Sequence, residues 1–173
     1  MAISGPVCAG KTTLGRGLGS ACGAQVLTTR MLIANHLGRR PEELSRAELQ
    51  AAGDRLDRER GGAWVAEKVA AMRSQVHGPV VVDAIRNYAQ LEALCGLAAT
   101  FHVHLRADTK ILTARYEERI SLSPTLEFPN LADLRANPTE AAVEELAVQA
   151  NLVLDTGRSV PAATRDAVLL HLP

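Results

Sequence analysis

Aromatic side chains are scarce in this sequence of 173 residues, since phenylalanine, tyrosine and tryptophan together make up 3% of it. Proteins that bind single-stranded nucleic acid by stacking need aromatic platforms for the bases, so the low content argues against that class. A net charge is missing as well, because 19 lysine and arginine residues balance 19 aspartate and glutamate residues. Proteins that coat nucleic acid carry a strong basic excess, and the balance argues against them too.

Cysteines and long apolar runs are also rare. The three cysteines are an odd and sparse set that suits a reducing compartment rather than a disulfide framework. No run approaches the roughly 18 apolar residues that a membrane-spanning helix needs. The first residues lack the charged and then apolar pattern of a secretory signal. We therefore expect a cytoplasmic protein that has no membrane partner.

The apolar residues that are present, 47% of the chain, are enough for a packed core, and the length predicts a single domain over residues 1–173. Short apolar runs alternate with longer segments of helical periodicity, as in α/β proteins with a parallel sheet. We predict strands over residues 2–4, 24–28, 79–83, 100–105 and 152–155. We predict helices over residues 11–22, 45–59, 62–76, 108–120, 139–150 and 161–170.

Two segments do not follow this alternation. Residues 37–43 form a short polar connection, and residues 121–137 contain Pro124 and Pro129 without a sustained period. A loop of the second kind in a compact domain is more often a lid or a binding loop than filler.

Residues 5–12 read Gly-Pro-Val-Cys-Ala-Gly-Lys-Thr and fit the phosphate-loop pattern G-x-x-x-x-G-K-[ST] at every required position. Gly5 and Gly10 allow the backbone to turn its N–H groups toward a polyphosphate. Lys11 is expected to reach the β- and γ-phosphates, and the Thr12 hydroxyl to ligate Mg²⁺. We assign nucleotide binding to Gly5, Ala9, Gly10, Lys11, Thr12 and Thr13.

Three further glycines follow within the predicted first helix. Gly15, Gly17 and Gly19 each cost about 1 kcal/mol relative to alanine in a helix interior. Close packing of this helix on the sheet is the plain explanation.

Residues 80–83, Val-Val-Val-Asp, predict a strand that is buried on both sides and ends in a carboxylate. Open α/β sheets bind ligands at the carboxyl ends of their strands, which places Asp83 beside the phosphate loop. Asp83 could hold Mg²⁺ or accept a proton from an acceptor hydroxyl, and Arg86 could grip a second anion. The structural alternatives are a helix cap for Asp83 and a surface position for Arg86.

The same segment argues against a signalling GTPase. Such proteins show D-x-x-G after this strand and N-K-x-D further on, whereas Arg86 stands at the glycine position and no N-K-x-D occurs.

Other arginines are placed to contact phosphates. Arg115 and Arg119 are four residues apart, share one helix face and precede the predicted lid, where they could neutralise a transferring phosphoryl group. Arg30 follows the second strand at the ligand edge, and Arg46 begins the next helix. Both could contact an acceptor.

Two histidines and the single tryptophan could also carry function. His102 and His104 alternate with apolar residues and could bind a metal, but the sequence shows no third ligand. Trp64 is expected in the core or in a pocket wall.

The phosphate loop, Thr28-Thr29-Arg30, residues 80–87 and the Arg115/Arg119 pair together resemble the nucleoside and nucleotide kinase group of P-loop proteins. That group includes adenylate-kinase-like, deoxynucleotide monophosphate kinase-like and dephospho-coenzyme A kinase-like enzymes. The resemblance implies a three-layer α/β fold with a five-stranded parallel sheet of order 2-3-1-4-5. It also implies an acceptor-binding helical region over about residues 30–76 and a lid after the fourth strand, over about residues 119–137.

By this resemblance, Arg30 and Arg86 stand at the positions that hold the acceptor phosphate in such enzymes. Arg115 and Arg119 match the arginines of the lid. The Asp83–Arg86 spacing is one residue wider than usual, and the Gly-Phe-Pro-Arg segment of true adenylate kinases is absent. These departures leave nucleosides, modified nucleotides and other phosphorylated metabolites open as the acceptor.

We expect a phosphotransferase that uses ATP and Mg²⁺ and acts on a small-molecule acceptor, a nucleoside monophosphate or a nucleoside. It would work as a monomer or homodimer without nucleic acid. The expected catalytic residues are Lys11, Asp83, Arg115 and Arg119, the acceptor-binding residues Arg30, Arg46 and Arg86, and the metal ligands Thr12 and Asp83. The alternative is a regulatory ATPase or switch that hydrolyses ATP slowly without an acceptor.

Residues 121–155 contain six acids and one arginine, and we expect this acidic charge to lie away from the phosphates.

Overall fold

Five strands form one parallel sheet in the computed structural model, which describes residues 1–73, 78–122, 130–136 and 138–172. The strands are β1 (Ala2–Ser4), β2 (Gln25–Thr28), β3 (Val80–Asp83), β4 (His102–Arg106) and β5 (Leu152–Asp155). Their order in the sheet is β2-β3-β1-β4-β5, and every neighbouring pair is parallel. The predicted fold class, a parallel sheet of order 2-3-1-4-5 between helices, is confirmed.

Helices connect the strands and cover both faces of the sheet. Within the described ranges they are α1 (Lys11–Cys22), α2 (Thr29–Leu37), α3 (Arg46–Arg60), α4 (Ala63–Arg73), α5 (Tyr88–Leu97), α6 (Thr109–Leu122), α7 (Leu131–Arg135), α8 (Pro138–Glu145) and α9 (Pro161–His171). Short 3₁₀ turns occur at Pro41–Glu43 and Leu146–Gln149. None of the helices in these ranges is long and apolar enough to cross a membrane.

Two apolar clusters hold the layers together, because successive side chains of a strand point to opposite faces. Ile3 and Val81 belong to the cluster that packs under α1, α6, α7 and α9. Ala2 and Val82 belong to the cluster that packs under α2, α3, α4 and α5. The sheet is therefore buried on both faces, as its continuous apolar runs predict.

The structure adds helices that the sequence analysis did not predict. Helix α2 begins directly after β2, where the Thr28 hydroxyl accepts a hydrogen bond from the Met31 N–H and caps it. Helix α5 is capped in the same way by Asn87, and the short helix α7 lies inside the predicted loop over residues 121–137. Helix α3 begins with a capping box, in which the Ser45 hydroxyl accepts from the Glu48 N–H and the Glu48 carboxylate accepts from the Ser45 N–H.

Helix α1 packs closely on the sheet, as its glycines predict. A Cβ atom on Gly15 would lie 3.2 Å from Val26 Cγ1, and one on Gly19 would lie 3.1 Å from the Ala24 carbonyl oxygen. Gly17 faces Arg165 of α9 instead, at 3.4 Å from Cδ. Larger side chains at the first two positions would push the helix away from β2.

The topology brings the predicted site residues to one edge. Strand β1 pairs with β3 on one side and β4 on the other, with Ile3 opposite Asp83 and Ser4 opposite His104. The chain that leaves β1 as the phosphate loop therefore starts beside the carboxyl ends of β3 and β4, where open α/β sheets bind ligands.

Candidate active site

The phosphate loop has the backbone conformation of an anion cradle. Gly5, Cys8 and Gly10 have φ angles of 136°, 64° and 89°, and Gly10 caps the N-terminus of α1. Positive φ angles of this kind allow a loop to turn N–H groups toward an anion, and the positive end of α1 would add to their charge. Gly10, Lys11, Thr12 and Thr13 line the cleft above it, while Gly5 and Ala9 are buried in the body of the loop.

The Lys11 side chain folds over the phosphate loop and contacts its backbone. Its Nζ donates hydrogen bonds of 2.7 Å to the carbonyl oxygens of Gly5 and Pro6. Burial, and after it the charge of Arg86, lower the pKa of Lys11 to about 7. A polyphosphate in the cradle would favour the charged form of Lys11, because a nearby anion raises the pKa of an ammonium group.

Thr12 and Asp83 meet at the junction of β1 and β3. The Thr12 hydroxyl donates a hydrogen bond of 2.9 Å to Asp83 Oδ2, and the carboxylate is almost completely buried. Asp83 does not cap the following helix, because Asn87 does. The two side chains together present oxygen ligands beside the phosphate loop, the donor type that Mg²⁺ prefers.

Arg115 connects the phosphate loop to the end of β5. Its guanidinium donates to the carbonyl oxygen of Cys8 at 3.2 Å, to that of Thr156 at 2.9 Å and to the Thr156 hydroxyl at 3.2 Å. Arg119 lies one turn further along α6 and also lines the cleft. Burial raises the pKa of the Cys8 thiol despite the neighbouring charges of Arg119 and Lys11.

Arg30 stabilises backbone in the acceptor half. Its guanidinium donates to the carbonyl oxygen of Pro41, at 3.1 and 2.8 Å, and to that of Leu44 at 3.0 Å. These bonds fasten α2 to the 3₁₀ turn that precedes α3. Arg30 lines the cleft, but its described donors point at carbonyl oxygens.

Arg46 and Arg86 converge on one carboxylate. Arg46 donates to Glu140 Oε1 at 3.0 Å, and Arg86 donates to the same oxygen at 2.5 Å. The expectation that the acids of residues 121–155 lie away from the site is therefore wrong for Glu140. Glu140 lies in the first turn of α8. The sequence predicts a helix over residues 139–150 but does not indicate which side chains Glu140 contacts.

Asp57 is a second residue that the sequence analysis did not single out. It accepts hydrogen bonds from Trp64 Nε1 at 2.6 Å, Asn87 Nδ2 at 2.7 Å and Gln90 Nε2 at 3.0 Å. Gln90 in turn accepts from the backbone N–H of Arg86. Trp64 is 2% exposed and belongs to the core and the pocket wall together, as predicted.

These groups surround one cleft of about 980 Å³, enough for a nucleotide and a second small molecule. The predicted site residues that line it are Lys11, Thr12, Thr13, Gly10, Arg30, Arg46, Asp83, Arg86, Arg115 and Arg119. Residues 123–129 and 137 of the predicted lid over residues 119–137 lie outside the described residues.

His102 and His104 form a buried hydrogen-bond network with Ser4, and within the described part of the chain they are not joined by a third metal-binding side chain. Ser4 Oγ lies 2.7 Å from His102 Nε2 and 2.8 Å from His104 Nδ1, and His102 Nδ1 lies 3.2 Å from the Gln149 carbonyl oxygen. Because a carbonyl only accepts, we assign the proton of His102 to Nδ1. The Ser4 hydroxyl then donates to His102 Nε2, and His104 Nδ1 donates to Ser4, so one proton on each ring satisfies these contacts.

Acid should destabilise the fold through these histidines. Burial, together with the charges of His102, Lys11 and Arg106, lowers the pKa of His104 to about 4. The unfolded chain, where the value is about 6.5, then binds more protons, so stability falls as the pH drops from about 6.5 to 4. Between pH 7.5 and 5 we expect His104 to account for a loss of about 2 kcal/mol in the free energy of unfolding.

Urea denaturation of the wild type and His104→Asn at both pH values measures this loss. The pH dependence should become smaller in His104→Asn and should stay unchanged in His36→Asn, whose side chain is exposed. Equal pH dependence in all three proteins would show that His104 is not the responsible group.

The sheet order, the phosphate loop and the Thr12–Asp83 contact define the P-loop kinase fold. Residues 1–127 match the family model AAA_18, described as an AAA domain, and the chain belongs to this family. No curated protein matches the sequence.

Solved structures show the same fold. A sugar kinase from Janibacter sp. is similar, with a TM-score of 0.64 and 16% identity over 98% of this chain and 91% of that one. A shikimate kinase from Acinetobacter baumannii has a TM-score of 0.61 and 19% identity, over 97% and 89%. A gluconokinase from Sinorhizobium meliloti has a TM-score of 0.53 and 15% identity, over 98% and 88%.

Proposed function

We propose that this chain transfers the γ-phosphoryl group of ATP, with Mg²⁺, to a small-molecule acceptor, a nucleoside monophosphate or a nucleoside. The observation that carries the proposal is the 2.9 Å contact between Thr12 and Asp83 beside an intact phosphate loop. The cleft continues from this point past Arg86 and Arg46 to α3, which leaves room for an acceptor next to the donor phosphates. We assign the acceptor region to about residues 30–76 and the lid to about residues 119–137.

The donor set fits magnesium. Thr12 and Asp83 supply one hydroxyl and one carboxylate, and Mg²⁺ is commonly bound by one or two such oxygens together with substrate phosphates and water. When bound, the ion would neutralise charge on the β- and γ-phosphates. The burial of Asp83 and its bond from Thr12 fix the carboxylate in place before any ligand arrives.

The remaining residues position and stabilise the reacting groups. Lys11 and the loop N–H groups hold the donor phosphates, and Arg115 and Arg119 neutralise charge on the transferred group. Arg30, Arg46 and Arg86 shape the acceptor side. Catalysis of this kind depends on positioning and electrostatics, because phosphoryl transfer needs little covalent chemistry from the protein. The solved structures of similar fold support the proposal, since they are a sugar kinase, a shikimate kinase and a gluconokinase.

The test is ADP release from ATP over a panel of nucleosides, nucleoside monophosphates, sugars and coenzyme A precursors. We expect at least one acceptor to stimulate ADP release, and Lys11→Ala to reduce the stimulated rate at least about 100-fold, because a group that stabilises phosphate charge is lost. Lys110→Ala is the matched control, since this lysine is exposed on α6.

Absence of any acceptor-stimulated, Lys11-dependent release would contradict the kinase proposal. Slow hydrolysis that no acceptor changes would instead support a regulatory ATPase or switch.

A further inference from the structure

The two arginines expected to bind an acceptor phosphate, Arg46 and Arg86, both form ion pairs with the carboxylate of Glu140. Arg46 and Arg86 both donate to Oε1 of Glu140, at 3.0 and 2.5 Å, and the exposed side-chain fractions of the three residues are 15%, 24% and 6%. Glu140 therefore contacts both of the guanidinium groups that are expected to bind the phosphate of a monophosphate acceptor.

Glu140 is ionised in this position. Burial alone would raise its pKa, but the charges of Arg86, Arg46 and Lys11 outweigh burial and lower it. Its negative charge thus cancels part of the positive charge that the two arginines would offer to an anion.

Glu140 is also part of a well-packed wall. The neighbouring Thr139 hydroxyl donates to Asp54 Oδ1 at 2.9 Å, which fastens the first turn of α8 to α3. Val143 on the same helix is completely buried, and Leu146 just beyond it is 2% exposed. Displacing the carboxylate would disturb this packing as well as both ion pairs.

The charges that line the cleft divide in the same way. Among the described residues, the donor side presents Lys11, Arg16, Arg115 and Arg119 against the single carboxylate of Asp83. The acceptor side presents Arg30, Arg46 and Arg86 against Glu42, Asp54, Asp57 and Glu140. The donor side therefore has an excess of positive charge that suits a triphosphate. The acceptor side has no such excess, so its charge does not suit a second phosphate.

We propose that Glu140 is a specificity determinant that selects an acceptor without a phosphate group, an uncharged hydroxyl compound such as a nucleoside or polyol. The inference rests on the proposed function and narrows its acceptor class. In the transfer, the acceptor hydroxyl oxygen forms a bond to the γ-phosphorus, and the bond from that phosphorus to the oxygen it shares with the β-phosphate breaks. ADP leaves with the electron pair, and the hydroxyl proton is released to water.

Matched acceptor pairs test the proposal. ADP release is measured with each of the nucleosides and its 5′-monophosphate, and with each of several polyols and its phosphate ester. We expect kcat/KM to be at least about tenfold higher for the uncharged member of the best pair. In Glu140→Gln, kcat/KM for the phosphorylated member should rise about tenfold, since one repelling charge is removed beside the phosphate. Glu144→Gln on the same helix is the control, because it removes an equal charge that pairs with Arg135 outside the cleft lining.

Binding of the same pairs to the wild type, measured by calorimetry without ATP, separates this inference from the proposed function. Tighter binding of the uncharged members in the absence of turnover would support the specificity of Glu140 while contradicting the kinase activity. A wild type that binds and uses monophosphates better than their uncharged partners would overturn the inference and leave the kinase activity standing. Unchanged preference in folded Glu140→Gln would also overturn it, and the wild-type comparison decides the matter if that variant does not fold.

Discussion

Replacing Asp83 by asparagine is expected to lower kcat about 1,000-fold while the protein stays folded. The asparagine side chain has nearly the same shape, and its carbonyl oxygen can still accept the hydrogen bond that Thr12 donates at 2.9 Å. The variant loses only the negative charge at the position where a metal or an acceptor hydroxyl would be held. Removal of one group that stabilises charge in a preorganised site commonly costs a factor of about 100 to 1,000.

The measurement is steady-state turnover with the best acceptor over a series of Mg²⁺ concentrations, beside a melting curve. Asp166→Asn serves as the control, because this aspartate is exposed and pairs with Arg165 on α9. Turnover of Asp83→Asn within threefold of the wild type would contradict a role for this carboxylate in the reaction.

Replacing Gly5 by alanine should lower the free energy of unfolding by about 3 kcal/mol or more. A Cβ atom built on Gly5 would lie 2.2 Å from the Leu105 carbonyl oxygen, which belongs to the backbone of β4. The φ angle of 136° is also one that side chains rarely tolerate. Backbone strain of about 1–3 kcal/mol therefore adds to a clash that only a shift of the central strands can relieve.

Gly10→Ala separates the two contributions. Its φ angle of 89° imposes strain, but a Cβ atom there would meet nothing within 4 Å. Urea denaturation should show a loss of about 1–2 kcal/mol for Gly10→Ala and a clearly larger loss for Gly5→Ala. Equal losses would mean that the contact with β4 carries no cost.

The sheet and the donor half of the cleft could be predicted because their signals are local. Residues 5–12 specify the loop without reference to the rest of the chain, and residues 80–83 combine a buried run with a carboxylate at its end. Helix α5 could also have been found, since Asn87 stands as a cap before Leu91 and Leu94 at helical spacing. Helix α2 was not predicted because no connection separates it from β2. Thr28 is both the last residue of β2 and the N-cap of α2.

The acceptor half could not be predicted in the same way. Glu140 meets Arg86 across 54 positions and Arg46 across 94, and no local pattern marks such a meeting. In the sequence, Glu140 is simply an acidic residue in the first turn of a helix, where the helix dipole favours it anyway. Only the packing of α8 against α3 reveals that its charge enters the cleft.

The close approach of α1 to the sheet has a consequence for the energetics of ligand binding. Gly15 and Gly19 allow α1 to pack directly against Val26 and Ala24. This packing against the strand layer fixes the position of the N–H groups at the N-terminus of α1. Polar groups fixed in this way need little reorientation when charge redistributes between the phosphates, so the reorganisation energy of this side of the cleft should be small. A valine at either glycine would turn a fixed array of dipoles into one that must adjust during each reaction cycle.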